Sequence, residues 1–225
     1  MNDLRHRPCP VVLAAPSGTG KTTIAHELVA RHERFVFSVS ATTREARPGE
    51  RQGQDYEFLE EAEFRRMADE GELVEWARVH GNLYGTPRKN LEAAQARGEH
   101  VVLDIDVQGA RQIRERAPEA VLVFIFPPSA RDLVARLTDR GTELPEDVRR
   151  RLEGARDELR SAADFDYIVV NDELGRAVKA VRGIVESESR RPERVQDLPG
   201  EIQRLRDEVE GVLSAGGVPV PDREG

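Results

Sequence analysis

The sequence predicts an α/β protein of three layers, a parallel sheet with helices on both faces. Short runs such as Val11–Ala14, Val121–Phe126, the Val101–Leu103 centre of His100–Asp106 and the Tyr167–Val170 end of Asp166–Val170 are apolar at successive positions rather than at alternate ones. Strands buried on both faces look like this. The stretches between them have helical spacing, and strands that alternate with helices assemble into parallel sheets. Gly18-Thr19-Gly20-Lys21-Thr22 lies between the first strand and the first helix, where a glycine-rich turn and a helix N-terminus together make an anion site.

Taken in order, Val11–Ala14 is the first strand and Thr22–Ala30 the first helix. Phe35–Ser40 alternates as a strand does, and Thr43–Gly53 (TREARPGERQG) is then rich in turn residues and arginine. Between Tyr56 and Tyr84, strand-like pieces surround a small helix at Glu61–Asp69, which predicts a partly antiparallel subdomain inserted into the core. His100–Asp106 is a buried strand that ends in two carboxylates sharing a face, and Val121–Phe126 is another. Pro127-Pro128-Ser129 introduces a helix, with Ser129 and Asp132 at capping-box spacing. The arginine-dense stretch Arg136–Arg151 is broken by Gly141 and Pro145, and a long polar helix follows it. After the strand Asp166–Val170, Asn171-Asp172 is placed to cap a helix that runs to about Ser189.

Beyond Arg190 the character changes. The segment RRPER reads as a linker, and Ile202, Leu205, Val209 and Val212 form a 3-4-3 apolar stripe. Two heptads are too few to establish a coiled coil, so this helix is expected to pack on the body, with contact to a second copy as the alternative. Gly216–Gly225 has the composition of a disordered end.

The 225 residues are 38% hydrophobic and 34% charged, which suits a soluble globular chain. The longest apolar runs are far too short to cross a bilayer, and no apolar signal region follows the first residues. A cytoplasmic protein without membrane attachment is expected. The net charge of −8 argues against a general nucleic-acid partner. The single cysteine, Cys9, cannot form an internal disulfide and reads as an inert thiol. Only Lys21, Lys89 and Lys179 are lysine among the 34 basic residues, so an arginine is informative only through its position.

The P-loop consensus is G-x-x-x-x-G-K-[ST], and Ala15-Pro16-Ser17-Gly18-Thr19-Gly20-Lys21-Thr22 matches it apart from Ala15. Successive N–H groups of such a turn surround phosphate oxygens, Lys21 supplies a charge for the β/γ-phosphates, and Thr22 supplies a hydroxyl for Mg²⁺. Ala15 stands at the end of the strand, ahead of the N–H nest, where φ is expected to be negative. An alanine costs little there, against about 1 kcal/mol if φ were positive. Asp104 closes a buried strand, the usual place for an acid that holds Mg²⁺ through water.

A P-loop specifies a nucleotide and not a function. Further motifs are more specific: Ser40-Ala41-Thr42-Thr43-Arg44-Glu45-Ala46-Arg47-Pro48-Gly49-Glu50, Gly53 with Asp55-Tyr56, Glu75-Trp76, Gly81–Thr86, Asp104-Ile105-Asp106-Val107-Gln108-Gly109, Arg136–Gly141 and Val170-Asn171-Asp172. In order and spacing they resemble guanylate kinase over roughly residues 10 to 190. The resemblance implies a P-loop kinase core (8–38, 98–133 and 164–190), a small mixed α/β GMP-binding insertion (39–97) and a helical lid (134–163). Together these make a domain of residues 1–190, and 191–225 form a tail about which the resemblance says nothing.

It also implies transfer of the γ-phosphoryl of ATP to GMP, and to dGMP, with Mg²⁺ as cofactor, in purine nucleotide metabolism and GMP recycling. ATP would lie on residues 15–22 and Asn171. Ser40, Arg44, Arg47, Tyr56, Glu75, Tyr84, Thr86 and Asp106 would hold GMP, and Thr22 and Asp104 the metal. Arg44 and Arg47 offer forked donors to a phosphate. Glu75 can accept both guanine donors, N1–H and the 2-amino group. Taken alone, the tyrosines read as packing and Glu75 as a strand-edge charge. Lys21, Arg136, Arg140 and Arg151 are the expected catalytic cations, with Arg151 not separable from Arg149 and Arg150. A binding module that has lost catalysis would be expected to lack Lys21 and the lid arginines, and a kinase for another phosphate ester would have no use for Glu75. Monomer and homodimer both remain open.

Overall fold

The computed structural model describes residues 4–79, 81–138 and 145–214. Strands β1 (Val11–Ala14), β2 (Phe35–Phe37), β7 (His100–Asp104), β8 (Val121–Phe126) and β9 (Tyr167–Val170) form one parallel sheet in the order β2-β7-β1-β8-β9. Every residue of β1 is buried, because successive side chains feed opposite layers. Val11 and Leu13 pack with Ile24 and Leu28 of α1 (Lys21–Arg31) and with Val178, Val181 and Val185 of α7 (Leu174–Glu188). Val12 and Ala14 pack on the other face with Ala110 and Ile113 of α4 (Val107–Arg116) and Ala94 of α3 (Arg88–Arg97). This is the expected three-layer arrangement.

The inserted part is a second sheet, β4-β3-β6-β5, made from β3 (Ala41–Thr42), β4 (Glu57–Phe58), β5 (Leu73–Val79) and β6 (Asn82–Pro87). β5 and β6 pair antiparallel, and α2 (Glu61–Asp69) seals a small core with Phe64 and Met67. Over the glycine loop lie α5 (Ala130–Thr138) and α6 (Pro145–Leu159), which share a core of Leu133, Leu137 and Ala155. Pro145 begins α6 rather than breaking it, since a first-turn proline gives up no helical hydrogen bond.

Several expected boundaries shift for physical reasons. The strand at 35–40 keeps only three residues, and the chain leaves the parallel sheet after Phe37 to enter the second one. Asp106 lies past the end of β7, where it is the N-cap of α4 and its carboxylate accepts the Gly109 N–H at 2.8 Å. The two acids therefore do not share a strand face. Asn171 does not cap α7 either; the N-cap is Glu173, and the Asn171 amide points back to the glycine loop.

The tail departs further from expectation. Residues expected as a linker are pinned to the chain's beginning: Val195 bridges His6, Arg7 N–H donates to Arg194 O at 2.7 Å, and Gln196 N–H donates to Arg5 O at 2.8 Å. Buried Glu188 anchors this clasp, accepting the Tyr167 hydroxyl and pairing with Arg191 at 3.1 Å and Arg194 at 3.6 Å. Helix α8 (Leu198–Ser214) then buries none of its residues, so it does not pack on the body as expected. The supposed disordered end at 216–225 lies outside the described residues.

Removing the anchor should leave the mostly buried Arg194 charge with a carbonyl but no carboxylate partner among the described residues. Glu188→Ala is expected to lower stability by about 3 kcal/mol, on the order of 8 °C in Tm, read by calorimetry. Substrate KM values should stay unchanged, and an unshifted Tm would mean that the clasp is dispensable.

Candidate active site

The carboxyl ends of β1 and β7, the second sheet and the two lid helices enclose one cavity of about 560 Å³. Residues 15–23 form its floor. Gly18 and Gly20 have φ of 85° and 89°, left-handed values that glycine adopts without the clash a Cβ brings. A Cβ would also come within 2.7 Å of Leu137 at residue 18 and of the Asn171 amide nitrogen at residue 20. The amides of Gly18, Gly20, Lys21 and Thr22 have no protein acceptor among the described residues and open into the cavity at the start of α1. Such a row of N–H groups at a helix N-terminus is an anion receptor. Ala15 is buried in the core, and Asp197 is the only non-glycine with positive φ among the described residues. The alanine therefore stands in ordinary backbone.

At the loop's far end Asp104 joins two groups. Its Oδ1 lies 2.6 Å from Lys21 Nζ, and its Oδ2 accepts the Thr22 hydroxyl at 2.5 Å. Lys21 donates a second bond to Ile105 O at 2.5 Å, which leaves the third ammonium hydrogen for a ligand. A hydroxyl beside a carboxylate is an all-oxygen donor set of the kind Mg²⁺ takes, with its remaining positions filled by phosphate and water.

The loop's outward carbonyls are met from the lid side. Thr19 O accepts both Arg136 Nη1 at 2.9 Å and Asn171 Nδ2 at 2.7 Å, and Arg136 Nη2 reaches Asn171 O at 3.0 Å. Arg151 donates to Ser17 Oγ through Nη2 at 2.8 Å and Nε at 3.2 Å, whereas Arg149 pairs with Glu153 on its own helix. Of the three neighbouring arginines, Arg151 is the one on the cavity wall. Arg140 lies outside the described residues.

Across the cavity sits Glu75, 3% exposed on β5. Its Oε1 accepts the Thr86 hydroxyl at 2.7 Å, and burial pushes its pKa up to about 7 against the pull of that bond, with the Asp106 charge adding to the rise. Thr86 is fully buried behind it and does not line the cavity, so its hydroxyl orients Glu75. Tyr56 and Tyr84 meet edge to face at 6.0 Å and line the same wall as Ser40 and Asp106. Behind the tyrosines, Arg44 lies over the Tyr56 ring at 5.3 Å and donates to Glu50 at 2.9 Å. Arg47 is exposed, and its N–H donates to the other Glu50 oxygen at 2.8 Å.

Three participants escape sequence reading. Glu50 is the acceptor that orders the arginine loop. Glu158 of α6 accepts the Ser17 N–H at 3.4 Å, and burial raises its carboxyl above the usual range. Gly109 leaves room for Glu75: a Cβ there would stand 2.6 Å from Glu75 Oε2. Glu50 and Gly109 stand inside recognisable motifs, but their roles are tertiary; Glu158 carries no local signal at all.

The guanylate kinase family model matches residues 7–188. A guanylate kinase from Chelativorans sp. (strain BNC1) is 47% identical over 212 residues, 94% of each chain. One from Thermotoga maritima is 48% identical over 200 residues, 89% of this chain and 95% of its own. Among solved structures, the guanylate kinase from Anaplasma phagocytophilum superposes with a TM-score of 0.73 at 35% identity, covering 88% of this chain and 94% of that one.

The raised Glu75 pKa has a stability consequence independent of substrate. Because the folded value of about 7 exceeds the ordinary glutamate value of 4.5, the folded state holds the proton more tightly, and stability present below pH 4.5 is lost as pH rises through 7. Glu75→Gln, a permanent mimic of the neutral acid, should therefore be the more stable protein at pH 8 by about 3 kcal/mol. Denaturant titrations at pH 8 and pH 4.5 test this, with the difference expected to vanish at the lower pH.

Proposed function

The chain belongs to the guanylate kinase family and catalyses ATP-dependent phosphorylation of GMP to GDP, and we propose that Glu75 reads the guanine while the glycine loop holds ATP. One observation carries the assignment: a buried carboxyl group and a row of amides without a protein acceptor among the described residues face each other in a single cavity. A carboxylate in a low-dielectric pocket is costly unless donors meet it, and guanine presents two donors side by side. Thr86 and Gly109 set the carboxylate's position, Ser40 and Asp106 flank it, and Arg44, Arg47, Tyr56 and Tyr84 receive the GMP phosphate. Glu50, which holds Arg44, is an anion that this phosphate would replace.

On the donor side, residues 15–22 bind the ATP phosphates, with Asn171 holding the loop's shape. Thr22 and Asp104 hold Mg²⁺, Asp104 through water; the metal, when bound, neutralises charge on the β- and γ-phosphates. Lys21, Arg136, Arg151 and Arg140 supply the remaining positive charge. No strong base is required, since phosphoryl transfer rests on alignment and charge neutralisation. Closure of the insertion and lid would exclude water that competes with GMP as acceptor. The same pocket admits dGMP, since no described group is assigned to the ribose 2′-hydroxyl. The enzyme works in the cytoplasm, in purine nucleotide supply and GMP recycling.

Guanine binding needs the ionised carboxylate, so kcat/KM for GMP should fall about tenfold per pH unit below pH 7. In Glu75→Gln that limb should disappear, leaving only the titration of the GMP phosphate near pH 6, and the plateau should drop by about two orders of magnitude. The KM for ATP should barely move. Paired kinetics across pH, with AMP, UMP and CMP as controls, decide the matter; equal losses for GMP and ATP would make Glu75 a structural charge.

Gly109→Ala separates space from chemistry. Alanine favours a helix by about 1 kcal/mol over glycine, so α4 should form as before. The added methyl displaces Glu75, and the KM for GMP should rise at least roughly tenfold, as for other misplaced binding groups. An unchanged KM would show that Glu75 is not the reader in that position.

A further inference from the structure

Helix α8 raises a problem that the catalytic domain does not solve. Its Ile202, Leu205, Val209, Val212 and Leu213 are between 46% and 59% exposed. Seventeen residues make a helix about 25 Å long, and a solvated helix of that length is marginal without packing. An apolar stripe of this kind on a charged helix marks a contact surface. The helix also starts from a fixed point. Val195 and Gln196 are bonded to residues 5 and 6, and Asp197, at φ 52°, turns the chain and accepts the Gly200 N–H at 3.3 Å.

We propose that α8 pairs with α8 of a second copy of this chain as a parallel two-stranded coiled coil. In heptad register, Ile202 and Val209 take a positions, and Leu198, Leu205 and Val212 take d positions. β-Branched residues at a with leucine at d is the pattern of parallel two-stranded packing. The flanking charges choose the same arrangement. Glu201 and Glu208 fall at g, and Arg206 falls at e. In a parallel pair each g residue faces the e residue of the following heptad, which sets Glu201 against Arg206 of the second copy, twice by symmetry. An antiparallel pair sets g on g and e on e, bringing Glu208 onto glutamate and Arg206 onto arginine. Within its own chain Arg206 has no ion-pair partner among the described residues, whereas Arg204 is already held by Glu201 at 2.7 Å and Glu208 at 2.6 Å. The stripe is short, and two copies bury less than the roughly 1,200 Å² of a standard interface, so association depends on concentration. The active-site cavity lies on other elements, and each copy keeps a complete site.

Sedimentation equilibrium of the full chain at low to high micromolar loading tests the proposal. A reversible monomer–dimer equilibrium is expected, and Leu205→Glu should weaken it at least roughly tenfold while specific activity is unchanged. Glu201→Arg should weaken it as well, and adding Arg206→Glu should restore it, which a merely structural role for either residue would not do. Leu205→Cys should form an intermolecular disulfide on mild oxidation, because the native Cys9 is buried and the symmetric d positions face each other. A monomer at every loading overturns the proposal, as does a dimer indifferent to Leu205→Glu. Failure of both the charge reversal and the cross-link overturns the parallel pairing.

Discussion

A loop that turns its amides toward a phosphate must turn carbonyls away from it, and those carbonyls need donors of their own. Thr19 O is the critical one, and two donors from remote chain meet it: Arg136 on α5 and Asn171 just past β9. A buried carbonyl left without a donor costs about 1–3 kcal/mol, enough to let the loop collapse onto its own oxygens. The active cradle thus requires α5, β9 and β1 to be in register before any nucleotide arrives. Arg136 is consequently a brace of the loop, and in the proposed function it would also be a cation beside the transferred phosphate. Leu137, its neighbour, packs where a Cβ on Gly18 would stand, so the lid's own core ends at the loop.

The cavity has two electrostatic ends that are prepared in opposite ways. At the phosphate end the cations and one loop amide already have protein acceptors, Lys21 in Asp104, Arg44 in Glu50 and the Ser17 amide in Glu158, while the amides of Gly18, Gly20, Lys21 and Thr22 stay open. Incoming phosphates exchange one anion for another, and the cations need little reorganisation. At the other end Glu75 is met by the Thr86 hydroxyl and backbone and by no ion-pair partner among the described residues, and burial holds its proton up to about pH 7. That end is short of donors. In the proposed function, phosphate binding would thereby be tolerant, many anions being acceptable to fixed cations, while the Glu75 pocket would reject whatever fails to bring two hydrogens.

How much of this could be read from the chain depended on whether the signal was local. β1, β8 and α2 begin and end where sequence places them, because continuous apolar runs and a compact amphipathic helix are local patterns. The motif residues around 15–22, 75, 104 and 106 do converge on one cavity. Cap and strand-end acid are plausible local jobs for Asn171 and Asp106, but the Asn171 amide turns to the remote Thr19 carbonyl and Asp106 caps the helix that follows it. Thr86, which the resemblance places among the GMP-binding residues, stands behind the Glu75 carboxylate and off the cavity wall. The tail hides its structure for a related reason: Glu188 and Arg194 look like ordinary helix-end charges until the chain's first described residues close over them.

The glycines show why a motif letter is not a physical requirement. Four positions that family patterns write as glycine demand three different things. Residue 15 demands neither space nor a special φ, and alanine serves there, packed in the core beside β1. Residues 18 and 20 demand both, a left-handed backbone and an empty direction occupied by Leu137 or Asn171. Residue 109 has ordinary helical geometry and demands only room, because the Glu75 carboxylate lies where its side chain would be. A consensus glycine therefore carries its constraint from the neighbour it admits. At residue 109 that neighbour is the Glu75 carboxylate, so if Glu75 reads the base as proposed, the specificity of the site rests partly on an atom that is not there.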